Sequence, residues 1–429
     1  MSYQNKYVLS YLMWLFPLFF FAYQFILRLW PGLMMQQIMG QFSIDASHFG
    51  FLAALYYYGY SGMQIPVAIM LERFGARYVV FSFALLCGLA TLTFSYTNNW
   101  YLACLSRLLI GAGSAVGFLG VSKVVSEWFP KNLYARMIGL SFTVGLLGAI
   151  YGGKPVSLLV AHYSWQNVAE TLAIVAILLG LSAYLFLRSP QASVQQGADS
   201  FKLRYFKTLL CSPFIWLLAI ANFLMVGSLE GFADVWGVPY LMTSFNLAKG
   251  DAAQLVSFIF IGMLFGGPML AFFSKRLGNY KVILVAGLLM AFAFTSVLAT
   301  ASYNWYWFAG LFFLIGMMCC YQVIVFATGA DLVSPQLLGV TVAFLNCINM
   351  LGGSFFHTLI GQRMDSGWTG TLTEEGLRLY TLESYHRSLV IIPYCAMAGA
   401  LLVGLLGCLL YYRDSFNLTK SNFNKLKEI

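Results

Sequence analysis

Residues 72–77, Glu-Arg-Phe-Gly-Ala-Arg, form a short charged loop between two long apolar stretches. A related loop, Lys-Arg-Leu-Gly at residues 275–278, interrupts a second apolar region of the chain. Arg73 and Gly75 of the first loop correspond to Arg276 and Gly278 of the second loop. The two members of each pair are the same number of residues apart. A repeat at a fixed interval indicates a chain that is built from two similar halves.

The apolar stretches around these loops are long enough to cross a lipid bilayer. Of the 429 residues, 60% are hydrophobic and only 9% are charged, and the mean hydropathy is +0.77. Apolar runs of about 18 residues or more indicate transmembrane helices. The sequence predicts twelve such helices, at 11–38, 48–72, 78–97, 100–128, 137–162, 168–187, 212–242, 251–273, 282–301, 303–330, 340–362 and 386–411.

One polar segment in mid-chain divides these helices six and six. It reads RSPQASVQQGADSFKLRYFK at residues 188–207. The prediction is therefore an all-α membrane protein with two pseudo-symmetric six-helix bundles. The first bundle spans 1–187, a cytoplasmic linker spans 188–211, and the second bundle with a short cytoplasmic tail spans 212–429. The other connections are too short for a separate catalytic domain.

The basic residues orient the chain in the membrane. Most of the 24 lysines and arginines fall on one side of the bilayer when the N-terminus is cytoplasmic. Cytoplasmic loops carry such an excess of positive charge. The net charge of +9 therefore indicates a bilayer as the partner, with both termini cytoplasmic, and it does not indicate a nucleic-acid surface. We expect a monomer, and no cysteine spacing suggests a metal site.

Two motifs then point to a family. Residues Ala68–Arg77 resemble the major facilitator superfamily signature Gly-x-x-x-Asp-Arg-x-Gly-Arg-Arg, and Arg107–Gly113 resembles that family's helix-4 motif. The resemblance spans nearly all twelve helices, and it implies transport by alternating access of two bundles. The sequence departs from the signature at Ala68, Glu72 and Lys275. The cytoplasmic gate is therefore expected to be strong in the first half and atypical in the second.

Three further stretches are similar to amino-acid uptake carriers of intracellular bacteria. They are Phe-Ile-Leu-Arg-Leu-Trp-Pro at 25–31, the tyrosine run at 56–58, and Glu-Trp-Phe-Pro at 127–130. Organic-anion and siderophore carriers share similar stretches. The resemblance implies the inner membrane of a bacterium.

Three cations lie within predicted membrane helices: Arg28, Arg107 and Lys154. A buried cation is costly in a membrane and normally faces the bundle interior or a watery cavity. At about 1.5 Å of rise per residue, all three fall in the outer half of the membrane. We expect them to bind the carboxylate of a substrate. The alternative is that each side chain reaches the membrane surface or caps a nearby carbonyl.

The seventh predicted helix supplies acids. Glu230 and Asp234 are four residues apart and so share one face of an α-helix. Two adjacent carboxylates raise each other's proton affinity, which suits proton coupling or the binding of an ammonium group. The alternative is a solvated helix end. Further candidates for substrate binding are Tyr57, Trp236, Tyr321, Gln322 and Asn346.

A gate is predicted at the cytoplasmic end of the first bundle. Lys123 and Glu127 are also four residues apart, and they are expected to form an ion pair there. By the family resemblance, the gate also includes Glu72, Arg73, Gly75, Arg77 and Arg136.

Taken together, these features predict a secondary active transporter. The expected activity is proton-coupled uptake of a small zwitterion, such as an amino acid or a short peptide, with the proton gradient in place of a cofactor. One alternative is an organic-anion or siderophore transporter, working as importer or exporter. Another is a membrane nutrient sensor that transports nothing. An enzyme is not expected, because no cluster of nucleophiles or metal ligands is evident.

Overall fold

A computed structural model of the protein describes residues 3–188, 209–334, 337–373 and 376–427, with side chains from residue 8 to residue 412. Most of the predicted linker lies outside these residues. The helices of the first half are α1 (Tyr3–Leu33), α2 (Met35–Phe42), α3 (Ala46–Tyr96), α4 (Trp100–Ser114), α5 (Val116–Trp128), α6 (Lys131–Gly152), α7 (Lys154–His162) and α8 (Trp165–Phe186).

The second half has a similar order of helices, and its first crossing contains a π-helix. Its elements are α9 (Pro213–Met225), the π-helix (Gly227–Trp236), α10 (Gly237–Phe245), α11 (Lys249–Leu277), α12 (Asn279–Ala299), α13 (Trp305–Cys319), α14 (Tyr321–Asp331), α15 (Leu338–Ser366), α16 (Leu382–Leu389) and α17 (Ile391–Lys427).

The helices account for the twelve predicted crossings. In the described part of the chain, eleven helical stretches are long and apolar enough to span a membrane. One of them, α3, has 51 residues. At about 1.5 Å per residue it is about 76 Å long, more than twice the hydrocarbon thickness of about 30 Å. It bends at Gly75 and therefore makes two crossings.

The two charged loops that reveal the repeat have the same backbone conformation. Gly75 has φ 78° and ψ 163°, and Gly278 has φ 89° and ψ 149°. Both values lie in a region that glycine adopts readily and other residues avoid. The glycines therefore turn the chain sharply at equivalent points of the two halves, in agreement with the predicted pseudo-symmetry.

Several crossings are interrupted within their length. The fifth ends one helix at Gly152 and begins the next at Lys154, because Gly153 has non-helical backbone angles (φ −82°, ψ −104°). Pro155 follows directly and has no N–H to continue the first helix. The Gly-Gly-Lys-Pro sequence at residues 152–155 therefore coincides with a helix break.

The bundles touch each other along α3 and α15. A Cβ atom added at Gly50 would lie 2.3 Å from the carbonyl oxygen of His357, and one at Gly361 would lie 2.3 Å from that of Ala46. Small residues allow such close backbone contact between membrane helices. The contact includes the N-terminal end of α3, which the sequence assigns to the outer side. The bundles are thus closed against each other in the predicted outer half.

Candidate functional site

Arg28 lies at the centre of a buried charged cluster between the two bundles. Its Nη1 atom is 3.0 Å from Oε2 of Glu230, and its Nε atom is 2.9 Å from Oδ2 of Asp234. The hydroxyl of Tyr57 donates to Oε2 of Glu230 at 2.7 Å and also contacts Oδ2 of Asp234. Arginine and tyrosine come from the first bundle and both acids from the second. The cluster therefore joins the bundles electrostatically.

Both acids that contact Arg28 lie in the π-helix. The segment Gly227–Trp236 has wider turns than an α-helix, and all ten of its residues are buried. Insertions of π-helix are rare and often occur at functional sites. Glu230 and Asp234 were predicted to share one face of an α-helix. They do point the same way, but the helix type differs from the prediction.

The cavity that borders this cluster at Asp234 is too small for a substrate. A cavity of about 20 Å³ lies against Asp234, between α1, α6 and α11. About one water molecule fits into such a volume. A substrate therefore does not fit into this cavity in the present conformation.

Arg107 lies next to the cluster without touching its acids. It is 1% exposed, and it donates to the carbonyl oxygens of Leu27 at 2.8 Å and of Arg28 at 3.4 Å. Its guanidinium also lies 4.7 Å from the ring centre of Tyr56. In this conformation Arg107 caps the backbone of α1, which is the alternative considered for each cation.

Lys154 does not contact the charged cluster and pairs instead with residues of α11. Its Nζ atom is 3.3 Å from Oδ1 of Asp251 and 2.7 Å from Oε1 of Gln254, both on α11. The side chains of Lys154 and Asp251 are 39% and 52% exposed. The helix break at Gly153 places the lysine at the start of α7, so it points to the neighbouring α11 and not to Glu230.

The other predicted binding residues occupy different surroundings. Trp236 is fully buried and packs edge-on against Phe49, with ring centres 5.9 Å apart. Tyr321 is also buried, and its hydroxyl donates to the carbonyl of Asn222 at 3.2 Å. Asn346 is half-buried. Among these candidates, Tyr57 alone touches the charged cluster.

Gln322 forms a separate polar pair with a residue on the next crossing. Its Oε1 atom accepts a hydrogen bond from Nδ2 of Asn349 at 3.3 Å. Nε2 of Gln322 and Oδ1 of Asn349 have no hydrogen-bond partner among the described residues. The pair therefore retains one donor and one acceptor in the second bundle.

The predicted ion pair of the cytoplasmic gate is present. Nζ of Lys123 is 3.4 Å from Glu127 and 2.8 Å from Glu72. It therefore links the end of the second crossing to the fourth. Arg77 donates through Nε to the carbonyl of Tyr184 at 2.7 Å. The gating role of these residues stays a prediction.

The remaining gate candidates are more loosely placed. Arg73 is exposed and lies over the ring of Phe74 at 5.3 Å. Arg136 is exposed. Gly75 supplies the turn between the crossings, as described above.

A second network, which the sequence did not reveal, closes the predicted outer end. The backbone N–H groups of Ala46 and Ser47 donate to the hydroxyl of Tyr380 at 2.9 Å and to Oδ2 of Asp365 at 2.7 Å. The first N–H groups of a helix have no partner within the helix. Here the second bundle supplies those partners to α3.

Arg378 strengthens the same closure. Its Nη1 atom is 3.0 Å from Asp365 and 3.5 Å from Asp45, which belongs to the first bundle. Burial raises the pKa of Asp45, but hydrogen bonds from the backbone and ring of His48 lower it, and the resulting pKa is below the ordinary value. Asp45 is therefore available as an anion to Arg378. No spacing signal in the sequence links these residues.

Sequence reasoning also missed His357. It is fully buried on α15, and its ring centre is 5.2 Å from that of Tyr57. A polar residue on the same helical face as Gly353 and Gly361 was the only available signal.

Comparison with known proteins identifies the family. The sequence matches the Major Facilitator Superfamily over residues 11–357. The chain belongs to the major facilitator superfamily. It is thus a multi-pass membrane protein of a transporter family, with the lipid bilayer and a small-molecule substrate as its partners.

Individual relatives are distant. The chain is 22% identical over 294 residues to the uncharacterized transporter YybO of Bacillus subtilis, covering 61% of this chain and 66% of that protein. It is 23% identical over 366 residues to the membrane sensor protein UhpC of Salmonella typhimurium, covering 78% and 81%. It is 21% identical over 374 residues to the hexuronate transporter of B. subtilis, covering 78% and 83%.

A solved structure agrees with the fold. A bacterial homolog of the human lysosomal transporter Spinster, crystallised in an inward-facing and occupied conformation, superimposes with a TM-score of 0.73 at 17% identity, covering 95% of this chain and 97% of that one. The fold prediction of two six-helix bundles is therefore confirmed. The amino-acid uptake branch is not confirmed by these comparisons.

Proposed function

We propose that this protein carries out proton-coupled uptake of a small zwitterion, such as an amino acid or a short peptide, by alternating access. The observation that carries the proposal is the cluster of Arg28 with Glu230 and Asp234. It places a cation on one bundle and two acids on the other, directly across the interface that must open.

A zwitterion matches this distribution of charge. Removing one partner from a buried ion pair leaves an uncompensated charge, which is strongly unfavourable. When the bundles separate, a substrate carboxylate replaces the acids at Arg28, and its ammonium group replaces Arg28 at the acids. Every charge then keeps an opposite partner. In the absence of substrate, the cluster closes on itself.

Proton coupling follows from the number of charges. Arg28 contributes one positive charge and the two acids contribute two negative charges. One proton shared by Glu230 and Asp234 makes the group of three neutral. We therefore assign the coupled proton to this pair, and we assign Arg107 and the polar pair at Gln322 to the walls of the open site. Lys154 is assigned to the outer contact between the bundles.

A small organic anion is the second candidate. Arg28 and Arg107 lie on adjacent helices, and the relatives include a hexuronate transporter. An anion at Arg28 would require protonation of the acids that it displaces. The third candidate is a membrane sensor that transports nothing, because the similar protein UhpC is described as a membrane sensor protein. For every candidate we place the chain, as a monomer, in the inner membrane of a bacterium with both termini in the cytoplasm.

Uptake by purified protein in liposomes tests these candidates together. The probes are a mixture of radiolabelled L-amino acids, a dipeptide, glucuronate and succinate, each offered with an inward proton gradient. The proposal expects the amino acids or the dipeptide to accumulate. Accumulation of glucuronate or succinate alone would establish the anion candidate. No transport of any probe would favour the sensor.

The acids are tested separately. Glu230→Gln combined with Asp234→Asn removes the groups assigned to the proton. We expect this variant to lose accumulation against a gradient. If it accumulates substrate as well as the wild type does, the assignment of the proton to these acids is wrong.

A further inference from the structure

His357 is a buried histidine without a hydrogen-bond partner. Its relative exposure is 0%. Neither Nδ1 nor Nε2 has a partner among the described residues. Leaving a buried polar group unsatisfied costs about 1–3 kcal/mol, and most buried polar groups are therefore paired. An imidazole with two unpaired nitrogens needs an explanation.

The position of His357 is held by close packing between the bundles. Its carbonyl oxygen lies against Gly50, where a Cβ atom would be 2.3 Å away. One turn earlier on α15, Gly353 lies against the ring of Tyr57, with a Cβ distance of 2.6 Å. His357 is therefore at the contact of α3 with α15. That contact must separate when the predicted outer side opens.

The ring that packs against His357 belongs to a member of the charged cluster. The ring of Tyr57 lies 5.2 Å from the imidazole, centre to centre, at an angle of 45°. The hydroxyl of the same tyrosine contacts both Glu230 and Asp234. The charged groups that act on the imidazole are Arg107 and Arg28. Arg107 lies over the ring of Tyr56, which packs against Tyr57.

We propose that His357 collects the coupled proton from the outer solution and delivers it to Glu230 and Asp234. Opening of α3 from α15 hydrates the imidazole, which then binds a proton. As the helices close again, the proton passes from the imidazolium to the hydroxyl oxygen of Tyr57, and the hydroxyl proton passes to a carboxylate. Imidazolium becomes imidazole, carboxylate becomes carboxylic acid, and tyrosine is unchanged.

In this assignment the two nitrogens find hydrogen-bond partners in the open state, where water reaches the ring. Once the proton has been delivered, the outer contact closes over a neutral imidazole. A neutral ring is far less costly to bury beside two arginines than a cation would be. The proposal rests on the proposed function in one respect, since it requires that substrate moves together with a proton.

The test is substrate accumulation by His357→Gln in liposomes, compared with counterflow exchange of the same substrate. A gradient of one pH unit supports about tenfold accumulation of a substrate that moves with one proton, because one pH unit corresponds to a factor of ten in the equilibrium. We expect about tenfold accumulation by the wild type. For His357→Gln we expect accumulation to fall to about the external concentration, and the ratio of accumulation to counterflow to fall with it.

External pH gives a second readout that a merely structural role would not move. The rate of wild-type uptake is expected to depend on external pH, and that of His357→Gln is expected to lose this dependence. The matched control is His162→Gln, at an exposed histidine, which is expected to behave as the wild type does. Tyr57→Phe keeps the aromatic ring and removes the relaying hydroxyl. It serves as the second variant if His357→Gln does not fold, and it should lose accumulation too.

Two results would overturn the proposal. One is wild-type accumulation and an unchanged pH profile in His357→Gln. The other is transport by the wild type that ignores the proton gradient. The probe is the L-amino-acid mixture, and it is replaced by glucuronate if only glucuronate is transported. In that case the zwitterion proposal fails, while the test of His357 continues with the same readouts.

Discussion

Replacing Arg28 with glutamine measures how strongly the central cluster holds the bundles together. The side chain of Arg28 is 10% exposed, and those of Glu230 and Asp234 are 1% and 0% exposed. The substitution removes the cation and leaves both carboxylates buried without it. Breaking a buried ion pair in this way costs about 3–5 kcal/mol. We expect Arg28→Gln to lower the free energy of unfolding by about this amount.

A triple variant separates lost attraction from an uncompensated charge. Arg28→Gln, Glu230→Gln and Asp234→Asn together remove all the charges and leave groups of similar size. Replacing a buried ion pair as a whole is often neutral. We therefore expect the triple variant to regain most of the stability that the single variant loses, and to bind no substrate.

Unfolding of the purified protein in detergent, followed by heat and by denaturant, provides the measurement. The control is Arg136→Gln at an exposed site, where a surface substitution changes stability by about 0.5 kcal/mol or less. The reasoning is refuted if Arg28→Gln is as stable as Arg136→Gln. It is also refuted if the triple variant is no more stable than the single one.

Three further predictions concern the contact between the bundles. Gly50→Ala overpacks a site where the new Cβ lies 2.3 Å from a backbone oxygen. It should therefore oppose outer closure by about 1–3 kcal/mol and slow uptake in liposomes. The control is Gly62→Ala, whose new Cβ has nothing within 4 Å and which should transport normally. Lys154→Gln removes a partly exposed pair with Asp251 and should change the free energy of unfolding by about 1 kcal/mol or less; a larger loss would place the lysine among the buried charges. Arg378→Gln weakens the outer closure and should speed labelling of an engineered cysteine in α3 by an impermeant thiol reagent, and unchanged labelling would exclude this role.

The overall fold was predictable because a bilayer permits few arrangements of a chain that spans it. Apolar length fixes the number of crossings, and the glycines at positions 75 and 278 fix equivalent turns. Charged residues inside apolar helices also stand out in the sequence, because a buried charge is costly unless it has an opposite partner. Arg28 and the two acids of the seventh crossing were therefore selected from the sequence for an energetic reason, and the structure brings them together.

The partners of the other cations were not predictable in the same way. Depth along a helix follows from residue number, but rotation about its axis depends on packing. The helix break before Lys154 directs its side chain to Asp251. Arg107 donates to backbone carbonyl groups, and such contacts cannot be predicted from residue types. The π-helix around Glu230 has no simple sequence signal either. The sequence does not single out His357, because its contact with Tyr57 joins two residues that lie far apart along the chain.

The pairing of opposite charges in the cluster also constrains how the protein can evolve. A lineage that loses Arg28 first must survive with two buried acids, and one that loses Glu230 first leaves Arg28 with a single acidic partner. Loss of Arg28 alone leaves an unfavourable charge buried between the bundles. Charges at these positions should therefore change in concert between related proteins, and a relative that lacks all of them should have changed its cargo or its energy source as well.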